Sequence, residues 1–516
     1  MKIAETSIEW AINHLTEYGD TDLFPKPVEF DIIAKEREYV KNKLKDIDIS
    51  SYNFQSSRRF VIPKDELSYR IATQLNPIDS ILFTALLHQY GQLIENNRAS
   101  SDVVFSYRFS PTTDGSLYDT ESSWEKYWQK CKDKLHIYEY VSYVDISDFY
   151  NQIYHHTIEN QLIECGFPNQ AVKFIINLLT SLTQKNSRGI PIGPHISHLL
   201  AELTLIPIDE SLSLKGFEFC RYVDDYAIFT NSYEEATMAF YHMAEILDKQ
   251  QRLVIQRQKA KIYTKQEYLS VCSKMIIDDP INQTEAEILE IIKEYSDGDS
   301  YTTIKLSDLT PEDLEILSYD NINNLLSEYI STSSPKYSRL RWLYRRLAQI
   351  GIPHAVDFSI ENMNKLIPAI NDVCLYLASA SPYYTADWKN IGEEIIELLD
   401  LPIIKANEYF KIVLINLFVR NRRLNHLPKL LEIYRHSSNS IKRKVILTAS
   451  QDSAKAWIRE LKEDYESFDD WNKYAYILST ACLPKEERKY LLQSIKERLK
   501  NGAILEDILI YWSKNK

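Results

Sequence analysis

The sequence predicts an α+β region over residues 1–270, followed by an all-helical region over residues 271–516. Up to about residue 270, short β-branched and aromatic runs such as "YEYVSYVDI" and "YAIFT" alternate with longer helical stretches such as "PIDSILFTALLHQYGQLI". Such alternation is typical of an α+β fold. Beyond residue 270 the strand signals fade and one amphipathic segment follows another. Glycine is scarce, 11 residues of 516, which favours helices joined by few tight turns.

The composition excludes several classes of protein. A chain of 516 residues is too long for one ordinary core and suggests two or three domains. A formal net charge of −13 argues against a protein that coats nucleic acid non-specifically, although an enzyme with a local basic groove stays possible. The six cysteines form no C-x-x-C pair, which argues against a zinc site or a disulfide scaffold. Without an apolar run of signal-peptide or membrane-spanning type, we expect a cytoplasmic protein.

The first 50 residues are charged and predicted to be helical, and two polar stretches at 295–300 and 331–336 are the predicted linkers. In "KYSRLRWLYRRLAQIG" an apolar stripe repeats at helical spacing, and Gly351 is expected to end the helix. The stripe consists of Leu340, Leu343, Leu347 and Ile350. Successive segments of this kind predict a stack of helix pairs, as in HEAT-like repeats, although no repeat of fixed period is visible.

Three Asp-Asp pairs occur, and their surroundings differ. Asp278–Asp279 precedes a proline and is typical of a turn, whereas Asp469–Asp470 precedes a helical segment that it can cap. Asp224–Asp225 instead joins two strand-like runs in "FCRYVDDYAIFT". A hairpin turn of two residues favours Asn-Gly or Asp-Gly, and neither is present here. A locally disfavoured choice is expected where chemistry overrides turn propensity.

Two further segments share the chemistry of that hairpin. Asp145 closes a strand-like run in "VSYVDISDFY", and "GIPIGPHISHLLAELTLIPID" is a Gly/Pro loop that opens into a helix near Ser197. Carboxylates from separate strands can hold two divalent cations about 4 Å apart. Mg²⁺ prefers a few carboxylates together with substrate phosphates, which fits an acidic cluster without accompanying histidine or cysteine ligands.

These segments resemble the motifs of reverse transcriptases, in the usual order, over residues 58–265. "RYVDDYAIF" is similar to the family's Tyr-x-Asp-Asp hairpin, "YVDISDFY" to its first metal-binding strand, and "LVIQRQKAK" to a later segment whose lysine would be Lys259. "RRFVIPKDELSYRIATQLNPIDSILFTALL" is similar to the fingers, where Arg70 and Lys64 match residues that clamp the triphosphate. The resemblance implies right-hand polymerase fingers and palm in residues 1–270, with the helical domain of 271–516 in place of a thumb.

The resemblance also implies site roles. Asp145 and Asp224 would bind two Mg²⁺ ions, for which Mn²⁺ can substitute, with Asp225 beside them and the Ile146 backbone as a further ligand. Backbone amides of 146–149 would hold the triphosphate, and the ring of Tyr150 would exclude a 2′-hydroxyl, so we expect dNTPs as substrates. The implied nucleotide-binding residues are Lys64, Arg70, Ile146, Ser147, Asp148, Phe149, Tyr150, Ile192, Gly193 and Lys259.

The chain departs from most templated reverse transcriptases at Ile192, where they have glutamine. With the large helical half and "YRIATQLNPIDSILFTALL", this residue makes the chain similar to the abortive-infection (Abi) reverse transcriptases of bacterial phage defence. That resemblance implies protein-primed, largely template-independent synthesis of single-stranded DNA in the bacterial cytoplasm. It also implies a homo-oligomer, a trimer or a hexamer, and a product attached to one of the 35 tyrosines.

Two alternatives stay open. One is a conventional RNA-templated reverse transcriptase, such as a retron-like enzyme, against which Ile192 and the helical extension count. The other is a catalytically silent interaction module, against which the intact acids at 145, 224 and 225 count. His155 and His156 are interpreted as structural. Arginines interleaved with aromatics in the helical half suit a single-stranded product, and paired surface helix faces explain them equally well; they are Arg339, Arg341, Arg345, Arg346, Arg420, Arg422 and Arg423.

Overall fold

The computed structural model describes residues 1–516 apart from 120–122, 277–279, 297–302, 333–334, 386, 452–453 and 500–502. The predicted linkers at 295–300 and 331–336 lie partly outside the described residues, and the Asp278–Asp279 turn lies wholly outside them. Among the described helices, none is long and apolar enough to cross a membrane.

Short antiparallel sheets carry the strands. The strands are β1 (Arg58–Pro63), β2 (Tyr69–Gln74), β3 (Arg108–Phe109), β4 (Tyr118–Asp119), β5 (Tyr140–Asp145), β6 (Glu218–Tyr222), β7 (Asp225–Thr230) and β8 (Lys261–Thr264). β1 pairs with β2 and β3 with β4, while the largest sheet has the order β6-β7-β5-β8.

Helices make up most of the rest. Up to residue 276 they are α1 (Glu5–Glu17), α2 (Val28–Lys35), α3 (Arg37–Leu44), α4 (Pro77–Glu95), α5 (Ser123–Lys134), α6 (Phe149–Gln152), α7 (His155–Glu164), α8 (Asn169–Leu182), α9 (Ser197–Leu214), α10 (Tyr233–Gln251) and α11 (Lys265–Ile276). Beyond it they are α12 (Gln283–Tyr295), α13 (Pro311–Ile316), α14 (Tyr319–Ser331), α15 (Tyr337–Ile350), α16 (Val356–Glu361), α17 (Ile370–Ala380), α18 (Trp388–Leu398), α19 (Pro402–Lys405), α20 (Glu408–Arg420), α21 (Leu427–Arg435), α22 (Asn439–Gln451), α23 (Lys455–Glu460), α24 (Asp470–Ser479), α25 (Lys485–Lys496) and α26 (Ile504–Asn515).

The chain divides into two compact units whose boundaries differ from the expected 270/271 division. The first unit comprises 1–21, 37–57 and 73–279, and the second comprises 22–36, 58–72 and 280–516. The two N-terminal segments group with the helical half because their apolar side chains join its core: Phe24, Phe60, Ile62 and Ala72 are buried in one cluster with the helices that follow residue 280. Tertiary burial of this kind leaves no local signal in the sequence.

In the first unit, helices cover both faces of the four-stranded sheet. Helices α5 and α11 pack on one face, and the buried cluster between them and the sheet includes Trp128, Val141, Phe229 and Tyr268. Helix α10 packs against β5 and β7, where the Ser142 hydroxyl donates to a backbone carbonyl of α10 at 2.6 Å. Because helices cover both faces of the sheet, residues on both faces of β5 are buried, among them Val141 and Ser142.

In the second unit, helices pack in succession. Helix α15 packs on α17, α17 on α20, α20 on α22, α22 on α24 and α24 on α26. The apolar stripe predicted on α15 is buried, and Gly351 ends that helix in the left-handed conformation at φ +70°. Asp469 caps α24 through the Asn472 amide at 2.8 Å, which confirms the capping interpretation of that Asp-Asp pair. A HEAT-like repeat organisation stays a prediction.

Candidate active site

The Asp224–Asp225 stretch forms a tight hairpin between β6 and β7. Tyr222 pairs with Asp225, so Val223 and Asp224 make a two-residue turn. Val223 has a φ of +54°, which is costly for a β-branched residue. Two hydrogen bonds hold it there: its amide donates to the Ser106 hydroxyl at 2.8 Å, and its carbonyl accepts from Arg221 at 2.9 Å. Backbone strain maintained by its surroundings is a feature of functional sites.

The pairing of β5 with β7 places Asp145 directly opposite Asp225. Residues paired in this way point to the same face of a sheet. Asp145 is buried, and its Oδ2 lies 2.5 Å from the Lys259 ammonium. The structure thus brings together residues from three separate segments of the sequence: Asp145, the adjacent pair Asp224 and Asp225, and Lys259.

The positive charge near these carboxylates is too small to offset their burial and mutual repulsion. Burial, together with repulsion from Asp225 and Asp145, raises the pKa of Asp224 to about 7. Burial also raises the pKa of Asp225 to about 6, although a hydrogen bond from the Tyr143 hydroxyl at 2.7 Å opposes that rise. Lys259 lowers both values. A bound cation would relieve this repulsion, so a cluster of ionised acids favours cation binding.

The donor set fits hard divalent cations. Within the described ranges, no group of three or more His, Cys, Asp or Glu side chains has the geometry of an assembled metal site. A magnesium site of this kind takes only one or two carboxylates from the protein and completes its octahedron with water and substrate phosphates. Asp145 and Asp224 offer those carboxylates from two strands, whereas one oxygen of Asp225 already accepts from Tyr143.

Beneath the hairpin lies a buried network of charges that sequence reasoning missed. The Arg221 guanidinium, completely buried, lies 2.9 Å from Glu202 and 2.7 Å from Asp209, both on α9. Glu202 also accepts hydrogen bonds from Arg98 at 2.7 Å and from the Ser106 hydroxyl at 2.6 Å. Because Ser106 and Arg221 also hold the turn at Val223, the network fixes the hairpin that carries Asp224. The available signal was the presence of Glu202 and Asp209 in the mainly apolar run "LLAELTLIPID" of α9.

Residues 62–286 match the family model described as "Reverse transcriptase (RNA-dependent DNA polymerase)". The chain contains a reverse transcriptase domain. A search of curated proteins finds no significant match. Among solved structures, the chain is similar to telomerase from Candida albicans in complex with a TWJ fragment of telomeric RNA. That likeness has 12% identity, covers 79% of this chain and 71% of the other, and has a TM-score of 0.31, too low to support an argument.

In the reverse transcriptase domain, Tyr150 lies at the start of α6 with its hydroxyl 2.5 Å from Nδ1 of His198. The His198 ring stacks on Tyr107, with 3.9 Å between ring centroids and 3° between planes. The hydroxyl of Tyr150 is therefore engaged, and the position of its ring is fixed by neighbours on α9 and before β3. Sequence reasoning found Tyr150 but missed His198 and Tyr107, because it cannot show which aromatic rings meet.

The backbone after Asp145 only partly suits the predicted triphosphate contacts. The amide of Ser147 donates to the Val254 carbonyl at 2.8 Å, so the prediction that this amide holds a triphosphate does not fit the structure. Ile146 and Phe149 are buried, and Asp148 precedes α6 with a φ of +49°. Its carboxylate accepts hydrogen bonds from the Asn151 and Gln152 side chains and so faces α6.

The Gly/Pro loop before α9 contacts β2. The Ile192 carbonyl accepts a hydrogen bond from the Thr73 amide at 2.7 Å. Gly193 has a φ of +135°, and a Cβ there would come within 2.7 Å of the Thr73 carbonyl oxygen, so only glycine fits. Lys64 and Arg70, predicted to clamp a triphosphate, belong to the second unit. His155 is buried and lies 2.9 Å from the Gly189 carbonyl, in keeping with a structural role.

Proposed function

We propose that the chain is a DNA polymerase of anti-phage abortive infection, which makes single-stranded DNA from dNTPs by protein-primed, largely template-independent nucleotidyl transfer. The observation that carries the proposal is the meeting of Asp145, Asp224 and Asp225 at one end of the palm-like sheet of a reverse transcriptase domain. In this proposal the enzyme works as a homo-oligomer in the bacterial cytoplasm, with the product joined to a tyrosine.

Each residue of the site has a task in such a reaction. Asp145 and Asp224 would hold two Mg²⁺ ions, which when bound activate the attacking oxygen and stabilise the leaving one. Tyr143 orients Asp225 through its hydrogen bond, and Lys259 offsets the charge of Asp145 until substrate arrives. The buried network around Arg221 holds the turn, so that little reorganisation is needed when the nucleotide binds.

Ile192 supports the template-independent part of the proposal. Its half-buried side chain is apolar, whereas templated relatives are expected to have a glutamine that helps to seat the new base pair. An apolar side chain offers no hydrogen bond to a base pair, so selection by a template is weakened. The preserved acids argue that the chemical step itself remains.

One experiment separates this proposal from its alternatives. The purified full-length protein is incubated with Mg²⁺ and labelled dNTPs, with and without added RNA template and primer, and separated on a denaturing gel. We expect label that migrates with the protein in the absence of template and is released by protease. Label that depends strictly on added RNA and primer would favour a conventional templated enzyme. Absence of label in every reaction would favour an interaction module.

Replacing Tyr150 with alanine should admit ribonucleotides. Without the ring, the 2′-hydroxyl meets no steric barrier, and a single small group in a pocket is typically worth about 10–200-fold in discrimination. The measurement is the ratio of dNTP to rNTP incorporation. Tyr150→Phe is the matched control, because it keeps the ring and removes only the hydroxyl that meets His198. An alanine variant with the sugar selectivity of the wild type would refute this role.

A further inference from the structure

A cavity of about 260 Å³ lies wholly within the second unit, between the β1–β2 hairpin and helices α15 and α17. Its charged lining combines three arginines with two aspartates, so positive charge is in excess. These residues are Arg70, Arg341, Arg345, Asp22 and Asp372. Pockets for drug-sized ligands usually have volumes of about 300–1,000 Å³, so this cavity suits a small ligand or one group of a larger ligand, such as a phosphate.

The two aspartates are already bound to one of the arginines. Nε of Arg345 lies 2.6 Å from Asp372, and its Nη1 lies 3.3 Å from Asp22. Both carboxylates are thus directed at Arg345 at one side of the cavity. Asp372 also attracts the neighbouring guanidinium of Arg341, one helical turn earlier on α15, but among the described residues neither aspartate forms an ion pair with it.

Arg341 has fewer partners than its burial calls for. Among the described residues it forms no ion pair, and its one hydrogen bond is a long one of 3.4 Å to the Pro63 carbonyl. The side chain is half-buried, and burial lowers its pKa, an effect that the charge of Asp372 opposes and that of Arg345 reinforces. A guanidinium carries five donors, and among the described residues those of Arg341 have only this one partner, so the others can bind an anion. An anion entering the cavity would satisfy them.

The remaining walls favour a phosphate that carries a nucleoside over a bare inorganic ion. Trp342, Ile62, Pro63 and Ile370 supply apolar surface beside the arginines. Forked guanidinium donors match phosphate oxygens, and aromatic rings accept sugars and bases by stacking.

We propose that this cavity binds a nucleotide phosphate, with Arg341 as its main ligand and Arg70 beside it. Arg70 then belongs to a site built largely by α15, while Lys64, which is exposed and does not line the cavity, is not part of it. The phosphate comes either from a free nucleoside triphosphate or from the backbone of a single-stranded DNA. The proposal does not depend on the catalytic assignment, because it needs neither metal nor turnover.

Binding to the full-length protein in EDTA tests the proposal. The probes are dATP, followed by calorimetry, and a short fluorescein-labelled oligo(dT), followed by anisotropy. We expect at least one probe to bind, and Arg341→Gln to weaken that binding at least about tenfold, since a charge-assisted hydrogen bond is lost. Arg346→Gln is the matched control: it lies on the same helix, stacks on Trp342, and does not line the cavity.

Each outcome of these binding measurements either supports or overturns the proposal. Binding of dATP alone, lost in Arg341→Gln, supports the site with a free nucleotide as its ligand, and binding of oligo(dT) alone supports it with a DNA strand. If Arg341→Gln does not fold, Arg341→Lys takes its place, because it keeps the charge without the fork and should bind several-fold more weakly. The proposal is overturned if neither probe binds, or if the Arg341 and Arg346 variants bind alike.

Discussion

Replacing Asp224 with asparagine should abolish nucleotide incorporation, lowering kcat by at least about a thousandfold. The amide removes one of the two carboxylates placed to hold the divalent cations, while the hairpin bonds of Val223 to Ser106 and Arg221 are untouched. Incorporation of labelled dNTPs into acid-precipitable or protein-linked product is the measurement. The stability of the fold should not fall, because the change removes the charge of one of three mutually repelling acids. The melting temperature in EDTA should therefore stay at or above that of the wild type.

The Asp-Asp pair at the start of α24 supplies the control for this variant. Asp470→Asn makes the same chemical change in the same dipeptide context, at a helix N-terminus in the second unit. Incorporation by Asp470→Asn should match the wild type. If Asp224→Asn retained a tenth of the wild-type rate, or if both variants lost activity equally, Asp224 would not be a metal ligand.

The second large effect is expected on stability. Arg221→Met should lower the free energy of unfolding by about 3–5 kcal/mol, because it leaves Glu202 and Asp209 buried without their shared cation. Arg98 still pairs with Glu202, but among the described residues Asp209 keeps only the hydrogen bond from the Tyr226 hydroxyl at 3.0 Å. The turn also loses the donor to the Val223 carbonyl. The free energy of unfolding is measured by urea denaturation, from the first unfolding transition.

A surface lysine provides the comparison. Lys249→Met removes the same charge from an exposed pair with Glu245 on α10, and such pairs are worth about 0.3–0.5 kcal/mol. Equal losses in the two variants would mean that the Arg221 network does not stabilise the first unit. A loss in Arg221→Met alone would support its role as the support of the hairpin.

The acidic part of the site could be predicted because its signals are local. Asp145 ends one strand-like run and Asp224–Asp225 join two others, and the structure pairs those strands so that the acids meet. The apolar stripe on α15 was predictable for the same reason, since helical spacing is visible in a single segment. Local pattern thus identified both the palm-like sheet and the helical half.

What escaped prediction depends on contacts between distant segments. Nothing local shows that Glu202 and Asp209 meet Arg221, or that His198 stacks on Tyr107. Grouping of residues 58–72 with the second unit follows from burial of Phe60, Ile62 and Ala72 in its core. A resemblance in sequence likewise could not show that the Ser147 amide is bound to Val254.

Release of pyrophosphate from dNTPs is the most direct test of nucleotidyl transfer at this site, because every nucleotide joined frees one pyrophosphate. Purified full-length protein with Mg²⁺ and dNTPs, and without template or primer, should release pyrophosphate in proportion to the nucleotide incorporated. EDTA and Asp224→Asn should both stop the release. Absence of pyrophosphate with Mg²⁺ or Mn²⁺, whether or not RNA template and primer are added, would contradict the assignment of Asp145, Asp224 and Asp225 as a polymerase centre.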